Sequence, residues 1–339
     1  MRRSPRRSTR SRVRGSTTCW PPRTGPTSSP TTTTSSSASA TSPGPRGCSD
    51  RDVTSPSATT RLAAVIGDPV RHSLSPALFN AAFAARGMDW AYLAFEVSEP
   101  HGADAIGACR ALGLEGLSVT MPHKRTAALT VDRCTPQATA LQAVNCVQRI
   151  GDELVGHNTD GAGFVDALAE DLGEDVVEGA RTVVLGAGGA ARAIVLALAE
   201  RGAAEVAVVN RTEARAAEAA SLAPGVARIG RRDDLAGATL VVNATSVGMA
   251  ATGDAAATSR FPVEPELLHD AQVVVDVVYH PLRTALLDAA SERGARTVGG
   301  LGMLVHQAAH AFRIWTGEPA PLDAMWTAAR AGVAERSAT

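Results

Sequence analysis

Of the 33 Lys and Arg residues in this chain of 339, only Lys124 is lysine. A guanidinium stays charged, whereas a lysine releases its proton when its surroundings lower its pKa. Hydride transfer between an alcohol and a ketone needs a group that takes or gives a hydroxyl proton, and Lys124 is a candidate for it. Taken alone, a lysine is more often a solvated charge. Asp160, in Asn158-Thr159-Asp160-Gly161 just before a helical pattern, reads in isolation as a helix N-cap. Ser73 and Ser75 flank Leu74 where a helix opens at Pro76. Ser75 has the same capping reading; alternatively, both hydroxyls hold a substrate carboxylate, which a helix N-terminus favours. His306 and His310 are spaced i, i+4, but the glutamate of an H-E-x-x-H motif and a third ligand are missing, so both are read as structural and no metal is expected.

A second constellation is a turn rich in glycine. Gly186-Ala187-Gly188-Gly189-Ala190-Ala191 fits G-x-G-x-x-A, follows a strand pattern and opens a helix, as dinucleotide binding requires. Gly186 allows the tight turn, Gly188 the approach of a pyrophosphate, and Ala191 close packing of helix on strand. The helix N-terminus offers unpaired N–H groups and the positive dipole end to the phosphates. The tip of the second strand carries no carboxylate for ribose hydroxyls. Asn210-Arg211-Thr212 stands there, with Arg215 one turn on, so two guanidiniums and a hydroxyl are placed for a 2′-phosphate. NADP is therefore the expected cofactor.

These residues need elements to position them. Leu62–Ile66, Tyr92–Val97 and Leu117–Thr120 read as strands, with a helix from Pro76 to just before Gly87. Cys146–Ile150 and Glu153–Val155 read as a hairpin, and Gly161–Leu172 as a helix. From Arg181 strand and helix alternate: Thr182–Leu185, Ala190–Arg201, Glu205–Val209, Glu213–Ala220, then strands Thr239–Val242 and Val273–Val277. Such alternation predicts a parallel, doubly wound sheet. Leu301–Trp315 and Leu322–Ala334 read as helices.

Composition bounds the rest. Apolar residues make up 45% and aromatics 4%, which fits a globular chain of about two domains. No run of about 18 uncharged apolar residues predicts a membrane helix. Five cysteines without C-x-x-C spacing argue against a disulfide framework and for a reducing compartment, hence the cytoplasm. The net charge of −1 hides an asymmetry, because residues 1–52 carry ten Arg and two Asp. Residues 1–60 hold 27 Ser or Thr and eight Pro, and no Leu, Ile or Phe, so this segment is expected to be disordered. The favoured reading is a mis-assigned start with translation beginning near Val53; an organelle transit peptide and an unassigned tail stay open.

Taken together the motifs resemble the shikimate dehydrogenase family over about residues 61–335. The resemblance is carried by Ile66-Gly67-Asp68-Pro69 with His72-Ser73-Leu74-Ser75-Pro76, by Ser118-Val119-Thr120-Met121-Pro122-His123-Lys124, and by Ala143-Val144-Asn145 and Asn158-Thr159-Asp160-Gly161. It continues through the glycine turn, Asn210-Arg211-Thr212, Asn243-Ala244-Thr245-Ser246-Val247-Gly248-Met249 and the stretch from Gly299 to Ala309.

The resemblance implies an α/β protein with a substrate-binding domain over residues 61–159, completed by helices in 301–339. It implies a Rossmann-type NADP domain over 160–300, with a cleft between the two. The implied reaction is reversible reduction of 3-dehydroshikimate to shikimate. Lys124 would move the proton with Asp160 beside it; Ser73, Ser75 and Thr120 would hold the carboxylate. Asn145, Asp160 and Gln307 would hold ring hydroxyls, with Tyr279 nearby. Gly186, Ala187, Gly188, Gly189, Ala190, Asn210, Arg211, Thr212, Arg215, Thr245 and Gly300 would contact the cofactor. Ser118 departs from the Asn of many members, which bears on substrate affinity. The expected partner is a small molecule, not a nucleic acid or membrane, and the expected state a monomer or homodimer. A quinate/shikimate dehydrogenase and a non-catalytic ligand sensor on the same fold are the alternatives.

Overall fold

The computed structural model describes residues 56–249 and 262–337. Most of the expected disordered extension, and any alternative start within it, lies outside the described residues. In the turn before the first strand, just ahead of the expected start of the fold at Arg61, Thr60 Oγ1 donates to Asp89 Oδ1 at 2.6 Å.

Two six-stranded sheets organise the described residues. The first contains β1 (Arg61–Gly67), β2 (Trp90–Glu96), β3 (Gly116–Val119), β4 (Arg133–Cys134), β5 (Cys146–Ile150) and β6 (Glu153–His157). Its order is β2-β1-β3-β5-β6-β4. β1 runs parallel to β2 and β3, and the β5–β6 hairpin turns antiparallel onto β3. Helices α1 (Ser75–Ala85), α2 (Gly102–Leu112), α3 (Lys124–Thr130) and α4 (Pro136–Leu141) lie between the strands in sequence.

Helix α5 (Asp160–Leu172) leads to the second sheet, which holds β7 (Arg181–Leu185), β8 (Glu205–Val209), β9 (Ala227–Ile229), β10 (Leu240–Asn243), β11 (Val273–Asp276) and β12 (Arg296–Val298). All its pairings are parallel, in the order β12-β11-β10-β7-β8-β9. This is the doubly wound order, with its switch point between β7 and β10, where ligands of such sheets bind. Residues Thr182–Leu185 are buried throughout rather than alternately, because helices cover both faces of a parallel sheet. Helix α6 (Gly189–Glu200) follows β7, α7 (Glu213–Ala220) follows β8, and α8 (Ala285–Glu292) precedes β12.

The chain then returns to the first sheet. Helices α9 (Leu301–Thr316) and α10 (Leu322–Ser337) bring Val305, Phe312, Trp315 and Met325 into one core with Phe79, Phe83 and Tyr92. Trp315 Nε1 donates to the Val147 carbonyl at 3.0 Å, which fixes α9 to β5.

Two capping expectations fail. Helix α1 begins at Ser75 with Leu74 as its cap residue, and no side chain caps it. Helix α5 begins at Asp160 after Thr159, again without a side-chain cap. In both places the side chain takes part in tertiary structure instead.

Candidate active site

The loops at the C-terminal ends of β1, β3, β7, β10 and β11 meet over a cleft containing a cavity of about 340 Å³. Ser73, Ser75, Thr120, Lys124, Asn145, Asp160, Tyr279 and Gln307, all singled out from sequence, line it together.

Lys124 opens α3, and its Nζ donates to Asp160 Oδ2 at 2.6 Å. The Asp160 side chain is only 8% exposed and that of Lys124 21%, so the pair is largely shielded from water yet borders the cavity. Asn145 fixes the other carboxylate oxygen, with Nδ2 donating to Asp160 Oδ1 at 2.7 Å. Asn145 is itself held, since its Oδ1 accepts the Thr159 N–H at 2.8 Å. A charge-assisted pair oriented by a buried amide has one preferred geometry. Lys124 thus points its remaining protons in a set direction.

Ser73 and Ser75 stand at the start of α1, where the Ser75 N–H donates to Ser73 Oγ at 3.2 Å. Neither serine is the N-cap residue; the Ser73 hydroxyl keeps its own proton to donate, and both side chains border the cavity at the positive end of the helix. Thr120 lies at the end of β3, its N–H bonded to the Ile66 carbonyl at 3.0 Å.

Gln307 reaches the cavity from α9. Its approach depends on Gly163 of α5: a Cβ there would stand 2.4 Å from the Gln307 nitrogen. Gly163→Ala must therefore push α9 outward. We expect a stability loss of about 1–3 kcal/mol, as for overpacked cores. A raised KM for the substrate, with the cofactor KM little changed, is the accompanying sign in steady-state kinetics.

Sequence reasoning passed over Tyr92, His72 and Met303. The last two line the cavity. Tyr92 does not line it but is fully buried with its hydroxyl directed at Ser118 and Ser75, which do; burial pushes its pKa up. Strand register places it there, which local sequence does not show: Ala63 pairs with Tyr92 while Val65, on the same face of β1, pairs with Ser118. His306 and His310 face Glu170 Oε2 at 2.8 Å and Asp166 Oδ2 at 2.7 Å, and so tie α9 to α5.

The residues around the glycine turn suit a dinucleotide. Gly186 has φ +108° and sits against the next loop, where a Cβ would be 3.0 Å from the Ala244 carbonyl oxygen. Nothing lies within 4 Å of where a Cβ on Gly188 would be, and α6 starts there without a side-chain cap, so its first N–H groups are open to a phosphate. The guanidiniums of Arg211 and Arg215 have no hydrogen-bond or ion-pair partner among the described residues. Asn210 Nδ2 donates to the Thr212 carbonyl at 2.9 Å, which holds the strand tip in a turn. The two halves of the cleft adjoin, since a Cβ on Gly189 would lie 3.7 Å from Lys124 Cδ.

A doubly wound sheet whose glycine turn adjoins a lysine–carboxylate pair is the arrangement a pyridine-nucleotide dehydrogenase requires, a dinucleotide site beside a group able to move a proton. Three family models match in chain order. They are the shikimate dehydrogenase substrate-binding domain over residues 65–147, shikimate/quinate 5-dehydrogenase over 167–256, and the shikimate 5′-dehydrogenase C-terminal domain over 300–330. The NADP(+) shikimate dehydrogenase of Geobacter metallireducens is 46% identical over 275 residues, covering 77% of this chain and 93% of the relative. The chain belongs to the shikimate dehydrogenase family.

Among solved structures, the Thermus thermophilus shikimate 5-dehydrogenase in complex with NADP(H) and shikimate matches with a TM-score of 0.73 and 36% identity, over 80% of this chain and 99% of that one. The quinate dehydrogenase of Corynebacterium glutamicum in complex with NAD matches with a TM-score of 0.72 and 31% identity, over 80% and 99%.

Proposed function

We infer that the protein is an NADP-dependent oxidoreductase that interconverts 3-dehydroshikimate and shikimate. The observation that carries this is the Lys124–Asp160 pair, 2.6 Å apart in the wall of a cavity that the cofactor-type helix start adjoins.

In this reading residues 61–159 with 301–339 hold the substrate, and residues 160–300 hold the cofactor. A cofactor held there would supply or accept the hydride at the carbon that bears the reacting oxygen. Lys124 Nζ gives a proton to the reacting oxygen during reduction and takes it back during oxidation, so charge balances in both directions. Asp160 Oδ2 holds the ammonium in place, and Asn145 holds Asp160. Ser73, Ser75 and Thr120 receive the substrate carboxylate, while Asn145, Asp160 and Gln307 orient ring hydroxyls. Ala187, Ala190, Thr245 and Gly300 line the cofactor's path, with the glycine turn on its pyrophosphate and Arg211, Thr212 and Arg215 on its 2′-phosphate.

The three described cysteines are free thiols, and none of the described helices is long and apolar enough to cross a membrane. They support placement in a reducing, cytoplasmic compartment. We take the partner to be a small molecule rather than a nucleic acid, and the working unit to be a monomer or homodimer.

Replacing Ser73 and Ser75 together by alanine tests carboxylate recognition. Each lost bond to a charged group is worth about 1.5–3 kcal/mol, so the KM for shikimate should rise by at least about tenfold. Because Ser75 does not cap α1, the thermal midpoint should move little. An unchanged KM would remove both serines from the site. The reading as a whole is tested by steady-state rates with shikimate and quinate, each with NADP and NAD. The highest kcat/KM is expected for shikimate with NADP; a preference for quinate with NAD would transfer the chain to the other branch of its family.

A further inference from the structure

Next to Val277, which lines the cavity, lies a buried acid with no cation beside it among the described residues. Asp276 ends β11 and is fully buried. Its Oδ1 accepts from Asn243 Nδ2 at 2.9 Å and from the Val278 N–H at 3.0 Å. Its Oδ2 accepts from Thr284 Oγ1 at 2.6 Å. Asn243 ends the neighbouring strand β10 in register with Asp276, and is equally buried. The Asn243 Oδ1 accepts the Thr245 N–H at 3.1 Å and the Thr245 hydroxyl at 2.7 Å, and its Nδ2 also donates to the Val247 carbonyl at 3.2 Å.

One carboxylate thus closes a network that spans two loops. The loop after β10 carries Thr245 and Met249; the loop after β11 carries Val277 and Tyr279. Met249, Val277 and Tyr279 line the cavity from the side of the second sheet. Behind them Gly300 packs so closely that a Cβ there would stand 2.2 Å from the Val277 carbonyl oxygen, so the second loop is backed by the start of α9.

An isolated carboxylate is expensive to bury, and burial here pushes its pKa up while its hydrogen bonds pull it down. An apolar side chain would fill the space without that cost. What a carboxylate adds is acceptor capacity on two oxygens with no donor of its own, so it can take an amide, a backbone N–H and a hydroxyl at once. The donors are the last residue of β10, which in turn holds Thr245, and two points of the segment between β11 and α8, Val278 beside Tyr279 and Thr284 at the helix start.

We propose that Asp276 is a positioning residue for catalysis: through Asn243, Val278 and Thr284 it locks the Thr245 loop against the Tyr279 loop, and so sets the shape of the cleft where cofactor and substrate meet. The inference rests on the dehydrogenase reading for its kinetic assay. It touches neither substrate nor cofactor, and acts by holding the groups that do.

The test compares Asp276→Ala with Asp276→Asn in the full chain. Kinetics are measured well below the thermal midpoint of each variant, and NADP affinity by calorimetry. With alanine the loops lose their common anchor. The KM for both NADP and shikimate should rise about tenfold and kcat should fall by up to about 10²-fold, as reacting groups misplaced by about 1 Å do. Asparagine keeps an oxygen for Asn243 and Val278, and its NH₂ can donate to Thr284 Oγ1, which accepts in turn. Its kinetic constants should therefore stay close to those of the unaltered protein. Should the alanine variant fail to fold, Asp276→Ser, which keeps one polar group but cannot span the three donors, carries the same expectation.

A purely structural role would lower the thermal midpoint and leave both KM values and the calorimetric affinity unchanged, which overturns the proposal. So would an asparagine variant as impaired as the alanine one. If the unaltered protein turned over neither substrate, the dehydrogenase reading would fail, while the calorimetric comparison would still decide this one.

Discussion

Lys124→Ala should lower turnover of shikimate by about 10²–10⁴-fold, the usual contribution of a positioned acid–base group, while shikimate binding measured by calorimetry changes little. Lys124→Arg should fail nearly as badly. A guanidinium can still face Asp160, but it does not release its proton near neutral pH. The arginine variant therefore separates proton transfer from simple charge pairing. The chain otherwise uses arginine throughout, so nothing in its composition resists the substitution elsewhere. Turnover near that of the unaltered protein in the arginine variant would remove Lys124 from the chemistry.

The second large effect concerns cofactor choice. Arg211→Ala with Arg215→Ala should raise the KM for NADP by about 10²-fold, since charge-assisted bonds to a phosphate are roughly twice as strong as neutral ones and two guanidiniums are removed. The KM for NAD, which lacks the phosphate, should hardly move. Turnover at saturating NADP should persist, because neither Arg211, just past the end of β8, nor Arg215, in the first turn of α7, is among the residues that line the cavity with Lys124. Adding Asn210→Asp to this background should move preference further toward NAD, as a carboxylate repels the phosphate and accepts from a ribose hydroxyl. Rates for both cofactors in the three proteins check this. Equal loss of both cofactors would make the arginines structural.

The doubly wound half was legible because its strands are buried on both faces and its helices follow at regular spacing. Thr182–Leu185 and Glu205–Val209 fall within a residue of the observed β7 and β8, and Glu213–Ala220 coincides with α7. The short elements were not legible. β4 has two residues and α4 six, too few for a hydrophobic period to register.

The site divides in the same way. Lys124 stood out by type, and the glycine turn by spacing. Asp160 and Ser75 each sit at a helix start, where local preference favours a cap. Tertiary partners overrode that preference: Lys124 and Asn145 claim the Asp160 carboxylate, and Ser75 turns into the cavity. Lys124 and Asp160 are 36 residues apart, and no local pattern connects them. Only the ordered set of motifs paired them before the structure did. The role of Asp276 left no trace in local sequence either, because the partner that ties it to the other loop, Asn243, lies 33 positions away on a neighbouring strand.

Direct hydride transfer between substrate and nicotinamide in the cleft that Lys124 borders is tested by supplying the full chain with NADP and shikimate deuterated at the carbon bearing the reacting hydroxyl, and following the label by NMR. The deuterium should appear on the nicotinamide ring, with one label transferred for each 3-dehydroshikimate formed. Dehydroshikimate formed with the label lost to water, or folded protein that forms none, would contradict it.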